Sequence, residues 1–313
     1  MGIAGTNLGA IIGSQIGVNT DWQQPNGGGG GGESYPEYGE ALLGLAYESR
    51  SDPVGGSGSY YGLASSSNSL TGNNSGFLFT NILSGYTIRE IALGTPISSS
   101  SATNAVMSTI DNPGATRYND FALRPDGTVL YGMTSGGDVH EYEPDTPYRG
   151  DSSTGWSAAI INLSTVFTAE SWRGLAFSGD GTKLYGYGTS GNLHIATMST
   201  AWDLTSAVDD SNPLATGLGG AIYGIDVTPD SNFAAFCSDS GNLIRLWGVD
   251  TAVEEELGDI SAATELATYD VYTLSGNLNQ GPLGVAFDVW NKKLFVIDYI
   301  DDRLYQFSWT GEA

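Results

Sequence analysis

The sequence predicts an all-β fold, a β-propeller of about five four-stranded blades preceded by a glycine-rich N-terminal arm. Three observations carry the prediction. One block recurs along the chain, each copy alternates residue types with a period of two, and glycine (45 of 313 residues) falls where the copies must turn. Runs of helix-favouring Ala, Glu, Lys and Leu are missing.

The best copy, RGLAFSGDGTKLYGYGTSGNLHI from Arg173, aligns without a gap with NDFALRPDGTVLYGMTSGGDVHE from Asn119. YGIDVTPDSNFAAFCSDSGNLIR from Tyr223 aligns equally well, and LGVAFDVWNKKLFVIDYIDDRLYQ from Leu283 needs one inserted residue. A more distant copy runs from LGLAYES at Leu43 through FLFTNI at Phe77 to YTIREIAL at Tyr86. In the Arg173 copy, Leu175 and Phe177 alternate with Ala176 as in a strand. Asp180-Gly181 is a hairpin signal, as is Pro125-Asp126-Gly127 one copy earlier. Lys183 to Tyr187 then form a second strand, Ser190-Gly191-Asn192 a second turn and Leu193 to Thr197 a third strand. AWDLTSAV, Ala201 to Val208, is expected to supply the fourth.

Aligned copies place blade starts near Gly44, Asp120, Gly174, Gly224 and Gly284. Two residues on stand Ala46, Ala122, Ala176, Asp226 and Ala286, small residues that suit an inner strand crowded against a central axis. The first interval, 76 residues against 50 to 60 for the others, leaves room for a sixth blade. The last copy ends soon after its third strand. Its outer strand is therefore expected from near the N-terminus, which would remove an exposed sheet edge.

Ahead of the propeller (40–313), Gly27 to Gly32 lie in a flexible linker, 27–39. Residues 1–26 hold Gly5, Gly9, Gly13 and Gly17 four apart, with Leu8, Ile11, Ile12 and Ile16 among them. Four glycines at about 1 kcal/mol each oppose an isolated helix, so the segment reads either as a disordered tail or, in the sharper reading, as an anchoring arm that orders only against a partner surface. Leu8, Ile11, Ile12 and Ile16 are its candidate contacts.

The net charge of −24, with only 11 Lys plus Arg, argues against nucleic acid and anionic membrane partners. No apolar run approaches the roughly 20 residues that span a bilayer. The first basic residue is Arg50, so no secretory signal is expected, and the lone Cys237 rules out an internal disulfide.

Gly186, Gly188 and Gly191 spell G-x-G-x-x-G, with Asp209 and Asp210 downstream, the pattern of a dinucleotide-binding turn. Sister copies read Gly132, Thr134, Gly137 and Phe236, Ser238, Gly241, so only the last glycine belongs to the repeat. A strand rather than a helix follows, and no cofactor is expected. On this reading the first two glycines are incidental.

His140 and His194 share a repeat position occupied elsewhere by Ile244, Tyr305 and Arg89, which suggests a variable blade-surface site rather than a metal pair. Cys237 replaces Tyr187 and Met133 at a strand position and reads as packed. Asp298, Asp301 and Asp302 lack an EF-hand's spacing and read as a solvated turn. No metal site and no catalytic set are expected. Asp120 and Asp226 are the channel-facing carboxylates should a ligand exist. Trp156, Trp172, Trp202, Trp290 and Trp309 are candidates for stacking on sugars or packing between blades.

The run GLAFSGDGTKLYGYG joined to LHIATMSTAWDLTSAVDDS, Leu193 to Ser211, resembles the propeller-like repeats of structural proteins from bacteriophages, especially marine ones. The likeness is good from Arg173 to Ser211 and partial in the Asn119 and Tyr223 copies; Ala201 stands where that pattern has proline. The resemblance implies a virion component, in capsid or tail, present in multiple copies and assembled in the host cytoplasm. It transfers no catalytic residue. The expected function is a virion structural protein that displays its propeller through the arm, with a host-surface glycan as a further partner. The alternative is a glycan-binding lectin or glycoside-acting propeller enzyme.

Overall fold

The computed structural model describes residues 45–51, 60–65, 77–82, 87–93, 117–150, 155–211, 213–216, 222–229, 231–239, 241–248, 260–275, 281–289, 292–300 and 303–309. The arm with Leu8, Ile11, Ile12 and Ile16, and the glycine tract after it, lie outside the described residues.

Twenty strands are described. They are β1 (Leu45–Ser51), β2 (Tyr60–Ser65), β3 (Phe77–Ile82), β4 (Thr87–Ala92), β5 (Tyr118–Leu123), β6 (Leu130–Thr134) and β7 (Asp138–Tyr142). β8 (Ile161–Asn162), β9 (Trp172–Phe177), β10 (Lys183–Gly188), β11 (Asn192–Met198), β12 (Ala207–Asp209), β13 (Leu214–Ala215) and β14 (Ile222–Val227) follow. The chain closes with β15 (Phe233–Ser238), β16 (Leu243–Gly248), β17 (Thr264–Asp270), β18 (Pro282–Asp288), β19 (Lys293–Asp298) and β20 (Leu304–Trp309).

These strands make five antiparallel sheets: β2-β3-β4, β5-β6-β7-β8, β9-β10-β11-β12 with β13 on β11, β14-β15-β16-β17, and β18-β19-β20-β1. They are the five blades of a β-propeller. Inner strands β2, β5, β9, β14 and β18 pack one against the next, and β18 against β2 closes the ring.

The last blade takes its outer strand from the N-terminal side, as the truncated repeat implied: Leu45 pairs with Trp309 and Ser51 with Leu304. The Glu48 carboxylate accepts from Lys293 Nζ and from the buried Gln306 Nε2, fixing the strap. Every strand of this blade is thereby paired along the edge that β1 covers.

That closure corrects the first blade start. Gly44-Leu45-Ala46 does not open a blade; Leu45 begins the strap, and the inner strand of the first blade is β2, with Gly62-Leu63-Ala64 repeating the same three letters. Counted from Gly62, the first interval falls to 58 residues, in line with the others, and the space for a sixth blade disappears. Hydrophobicity alone does not tell the two GLA segments apart; what separates them is which edge is left unpaired at the end of the chain.

The hairpins form as their sequences require. Gly127 and Gly181 adopt φ of 72° and 71° after Asp126 and Asp180, whose Oδ1 atoms accept from the N–H groups of Thr128 and Thr182. Two aromatics lock these turns. Tyr148 and Trp202 donate their N–H to the carbonyls of Gly127 and Gly181 (both 2.9 Å) and lay their rings where a Cβ on either glycine would sit. The expected fourth strand of the Arg173 copy is only partly strand. Asp203 instead caps a short 3-10 turn, Leu204–Ser206, and pairing begins at Ala207.

Buried side chains pack between adjacent blades. One cluster joins Tyr131 and Met133 of the second blade to Trp172, Leu175 and Phe177 of the third. Another joins Tyr185 and Tyr187 to Ile225 and Phe236 of the fourth. Trp156 stacks on Tyr118 at 4.8 Å and Trp172 is fully enclosed, so both belong to packing rather than to an exposed sugar platform.

Candidate functional site at the propeller axis

Residues i and i+2 of an inner strand point to the same side. The five inner strands therefore offer two layers to the axis. The first contains Gly62, Asp120, Gly174, Gly224 and Gly284; the second contains Ala64, Ala122, Ala176, Asp226 and Ala286. Each layer has four minimal side chains and a single aspartate.

Steric contact explains the first layer. A Cβ on Gly224 would lie 2.9 Å from Gly284 Cα, one on Gly284 2.7 Å from Gly62 C, and one on Gly62 2.7 Å from Asp120 Cα. Backbones meet there directly, and only one side chain fits. Asp120 occupies that space fully buried, its Oδ2 accepting from Leu175 N (3.0 Å) and Ile225 N (3.4 Å) on two further blades. Inner strands present backbone N–H groups to the axis with no neighbouring strand to pair them, and the carboxylate supplies the acceptor. Burial pushes the Asp120 carboxyl well above the usual carboxylate range; those backbone N–H groups oppose the rise, and the Asp226 charge adds to it.

Asp226 does the same one layer on, accepting from Phe287 N at 2.7 Å with Oδ2 and from Val227 N at 2.9 Å with Oδ1. Unlike Asp120 it is only partly buried. It sits in a cavity of about 30 Å³ at the mouth of the axis, with Phe121, Phe177, Ser178, Trp202 and Pro229 among the walls. That volume holds on the order of two water molecules. Trp202 has a φ of 66°, a conformation rare for a bulky residue, and the Arg124 guanidinium lies 5.4 Å from its ring centroid. Arg124 is itself paired with Asp126 at 3.1 Å. The two carboxylates named from sequence thus occupy successive layers of one axis. The cavity walls were not legible, because Pro229 and Trp202 reach the mouth through the third-dimensional stacking of blades.

The glycine triplet Gly186, Gly188 and Gly191 lies in β10 and its turn, away from any helix N-terminus. All three have structural reasons, which corrects the reading of two as incidental. Gly191 takes φ of 83°, a Cβ on Gly186 would meet Trp172 at 2.9 Å, and one on Gly188 would meet the Glu170 carboxylate within 2.3 Å.

The histidines hold equivalent positions, opposite Gly132 and Gly186 in their blades. Register gives Arg245, opposite Phe236, as the counterpart in the fourth blade; Ile244 pairs with Cys237 one step away. Nor is this a surface position throughout. His194 is buried, edge-on to Trp172, with Nε2 2.7 Å from Glu170 Oε1, although not aligned as a hydrogen bond. His140 is edge-on to Tyr118 and its Nδ1 meets Ser157 O at 3.1 Å. In these two blades the aromatic that opens the inner strand, Tyr118 or Trp172, lies across the glycine and meets the histidine ring, and each histidine has its own partners.

Cys237 is fully buried, its thiol pushed up by burial and by the nearby Asp120. Asp298 is buried rather than solvated: its carboxylate accepts from Gly281 N and Ile300 N. Asp301 and Asp302, with Trp290, lie outside the described residues. Among the described residues no three His, Cys, Asp or Glu side chains gather as metal ligands.

No protein-family model matches the chain, and no curated protein does. Among solved structures it is similar to a chain of the mitotic checkpoint complex, at 14% identity and a TM-score of 0.40 over 79% of this chain and 62% of that one. It therefore spans less than two thirds of that chain. It is also similar to a chain of the nidogen/laminin complex (15% identity, TM-score 0.43, 77% of this chain and 73% of that). A third is the Cps50 (Swd1) β-propeller domain of Myceliophteria thermophila (9% identity, TM-score 0.44, 80% and 83%). These likenesses concern the fold.

Proposed function

We propose that this chain is a structural protein of a bacteriophage virion, displaying a five-bladed propeller from capsid or tail through its N-terminal arm. The observation that carries the reading is the strap. Because β1 is the outermost strand of the last blade, Leu45, where the described chain begins, lies on the propeller's rim rather than at its axis. On this reading an arm joined to that strand would hold the propeller by its rim and leave the axis to a host-surface partner. The resemblance of Arg173 to Ser211 to phage repeats supports the virion setting. The axial aspartates hold backbone N–H groups, which fits a role in assembly and binding rather than catalysis.

Deleting residues 1–32 is expected to leave a folded propeller that no longer incorporates into particles, measured by mass spectrometry of purified virions against the full chain. Full incorporation of the truncated protein would overturn the arm's role, and absence of the full chain from particles would overturn the virion reading. Glycan binding is the second reading, favoured by Trp202 and Asp226 sharing one cavity. A glycan on this reading would lie over Trp202 and Asp226 at the mouth.

A further inference from the structure

We propose that the end of the axis away from Asp226 is a binding site for a small monocarboxylate, received by the guanidinium of Arg173. Four of the inner strands carry one extra residue just before the first axial layer. Trp172 pairs with Gly188 and Gly174 with Tyr187, so Arg173 has no residue opposite it. Asn119, Tyr223 and Leu283 stand in the same place in β5, β14 and β18. These are β-bulges, which release a side chain from the pleat and re-aim it. Two of the four reach the next blade: Asn119 Nδ2 donates to Trp172 O at 2.7 Å, and the Arg173 guanidinium lies 4.7 Å from the Tyr223 ring centroid.

Arg173 is a held cation without a counter-ion. Arg124, Arg149, Lys183, Arg245 and Lys293 each have a carboxylate partner. Arg173 has none among the described residues, in a chain with 35 Asp plus Glu against 11 Lys plus Arg. The Tyr223 ring covers one face of the guanidinium and leaves its in-plane N–H donors unused. Nε is enclosed with no acceptor among the described residues, while the side chain as a whole is only partly buried, so the terminal Nη groups are the ones that meet solvent. A second unmet polar atom lies beside the same bulge. Asn119 is buried, its Oδ1 has no donor among the described residues, and its amide rests on the carbonyl that immediately precedes Arg173.

The shape of the guanidinium selects the ligand. Its two Nη groups lie in one plane and match the two oxygens of a carboxylate, in a pair of parallel charge-assisted hydrogen bonds. Partial burial of an unpaired charge is unfavourable, and a bound anion relieves it. The net charge of −24 sets the opposite limit: its field repels polyanions most, so a ligand with a single negative charge is favoured over a nucleic acid or an acidic protein surface. The site goes beyond the virion reading and does not depend on it, and neither Asp226 nor its cavity takes part.

The test replaces sodium chloride by sodium acetate at constant ionic strength and follows the full chain by the Arg173 Nε–H signal and the backbone ¹H–¹⁵N signals of Gly174 and Tyr223. A saturable shift with a dissociation constant on the order of millimolar is expected. Arg173→Gln should weaken binding by about tenfold or more. Arg173→Lys keeps the charge and the stem but offers no fork, so it should bind more weakly than wild type. Arg245→Gln removes the same charge from an ion pair elsewhere and should leave binding unchanged. No shift on replacing chloride, an equal response to neutral acetamide, binding that survives Arg173→Gln, or an equal loss in Arg245→Gln would each overturn the site. Should Arg173→Gln not fold, Arg173→Lys decides, since affinity retained in full there would overturn the bidentate contact. D-Galacturonate and Nα-acetylglycine then distinguish the source of the carboxylate: tighter binding of the first assigns the site to sugar acids, and of the second to a peptide C-terminus. Failure of both to bind would overturn its use as a ligand site.

Discussion

Gly284 stands where the last blade meets the first, and replacing it with alanine tests whether the axis is closed by backbone contact. A Cβ there would lie 2.7 Å from Gly62 C and 2.9 Å from both Leu63 N and Ile297 Cγ2. Two of these three atoms are backbone, so no rotamer change relieves them; β18 and β2 must move apart. Overpacking a filled interior costs about 1–3 kcal/mol, and backbone opposition places this case near 2–3. At about 2–4 °C per kcal/mol for a domain of this size, the midpoint of thermal unfolding should fall by roughly 4–12 °C. Gly136→Ala is the control. Its Cβ would have only Thr134 Oγ1, at 3.7 Å, within reach in an exposed turn, so it should stay within about 0.5 kcal/mol of wild type. Scanning calorimetry of the three proteins decides the matter. If Gly284→Ala melts with wild type, or if both variants lose equal stability, the account of the first axial layer is wrong.

Two further outcomes follow from the buried axis. Asp120 binds its proton more tightly folded than unfolded, so stability is lost as pH rises from the unfolded carboxylate value near 4 through the higher folded one. Wild type should therefore lose stability relative to Asp120→Asn across that interval, and parallel denaturation curves for the two would refute the sign. Cys237, enclosed and with its thiol raised, should resist Ellman's reagent at pH 8 in the native protein and react at once in denaturant; rapid native labelling would show that the fourth and fifth blades open there.

Much of this fold was legible because each blade repeats its own punctuation. Asp-Gly hairpins, the Gly191 turn and the alternation around Leu175 are local features, and local features survive in a linear reading. The error at Gly44 has the opposite character. Two GLA segments are equivalent in every local respect, and only pairing between Leu45–Ser51 and Leu304–Trp309, at opposite ends of the described chain, assigns one to the rim and the other to the axis. The same limit applies to Gly188. Its neighbour Glu170 lies 18 residues away in sequence but against its Cα in space, so a repeat alignment that found Thr134 and Ser238 at its counterpart positions had no means of seeing it. At the axis the two kinds of information meet. One aspartate per layer among glycines and alanines is visible in the aligned copies, but why there is only one is not. In the first layer β14, β18, β2 and β5 converge until their backbones touch, which leaves room for a single side chain and several N–H groups for it to satisfy. Substitution of a second layer residue by aspartate would supply another acceptor while removing the space it needs, so the count of one is a consequence of packing and hydrogen bonding together.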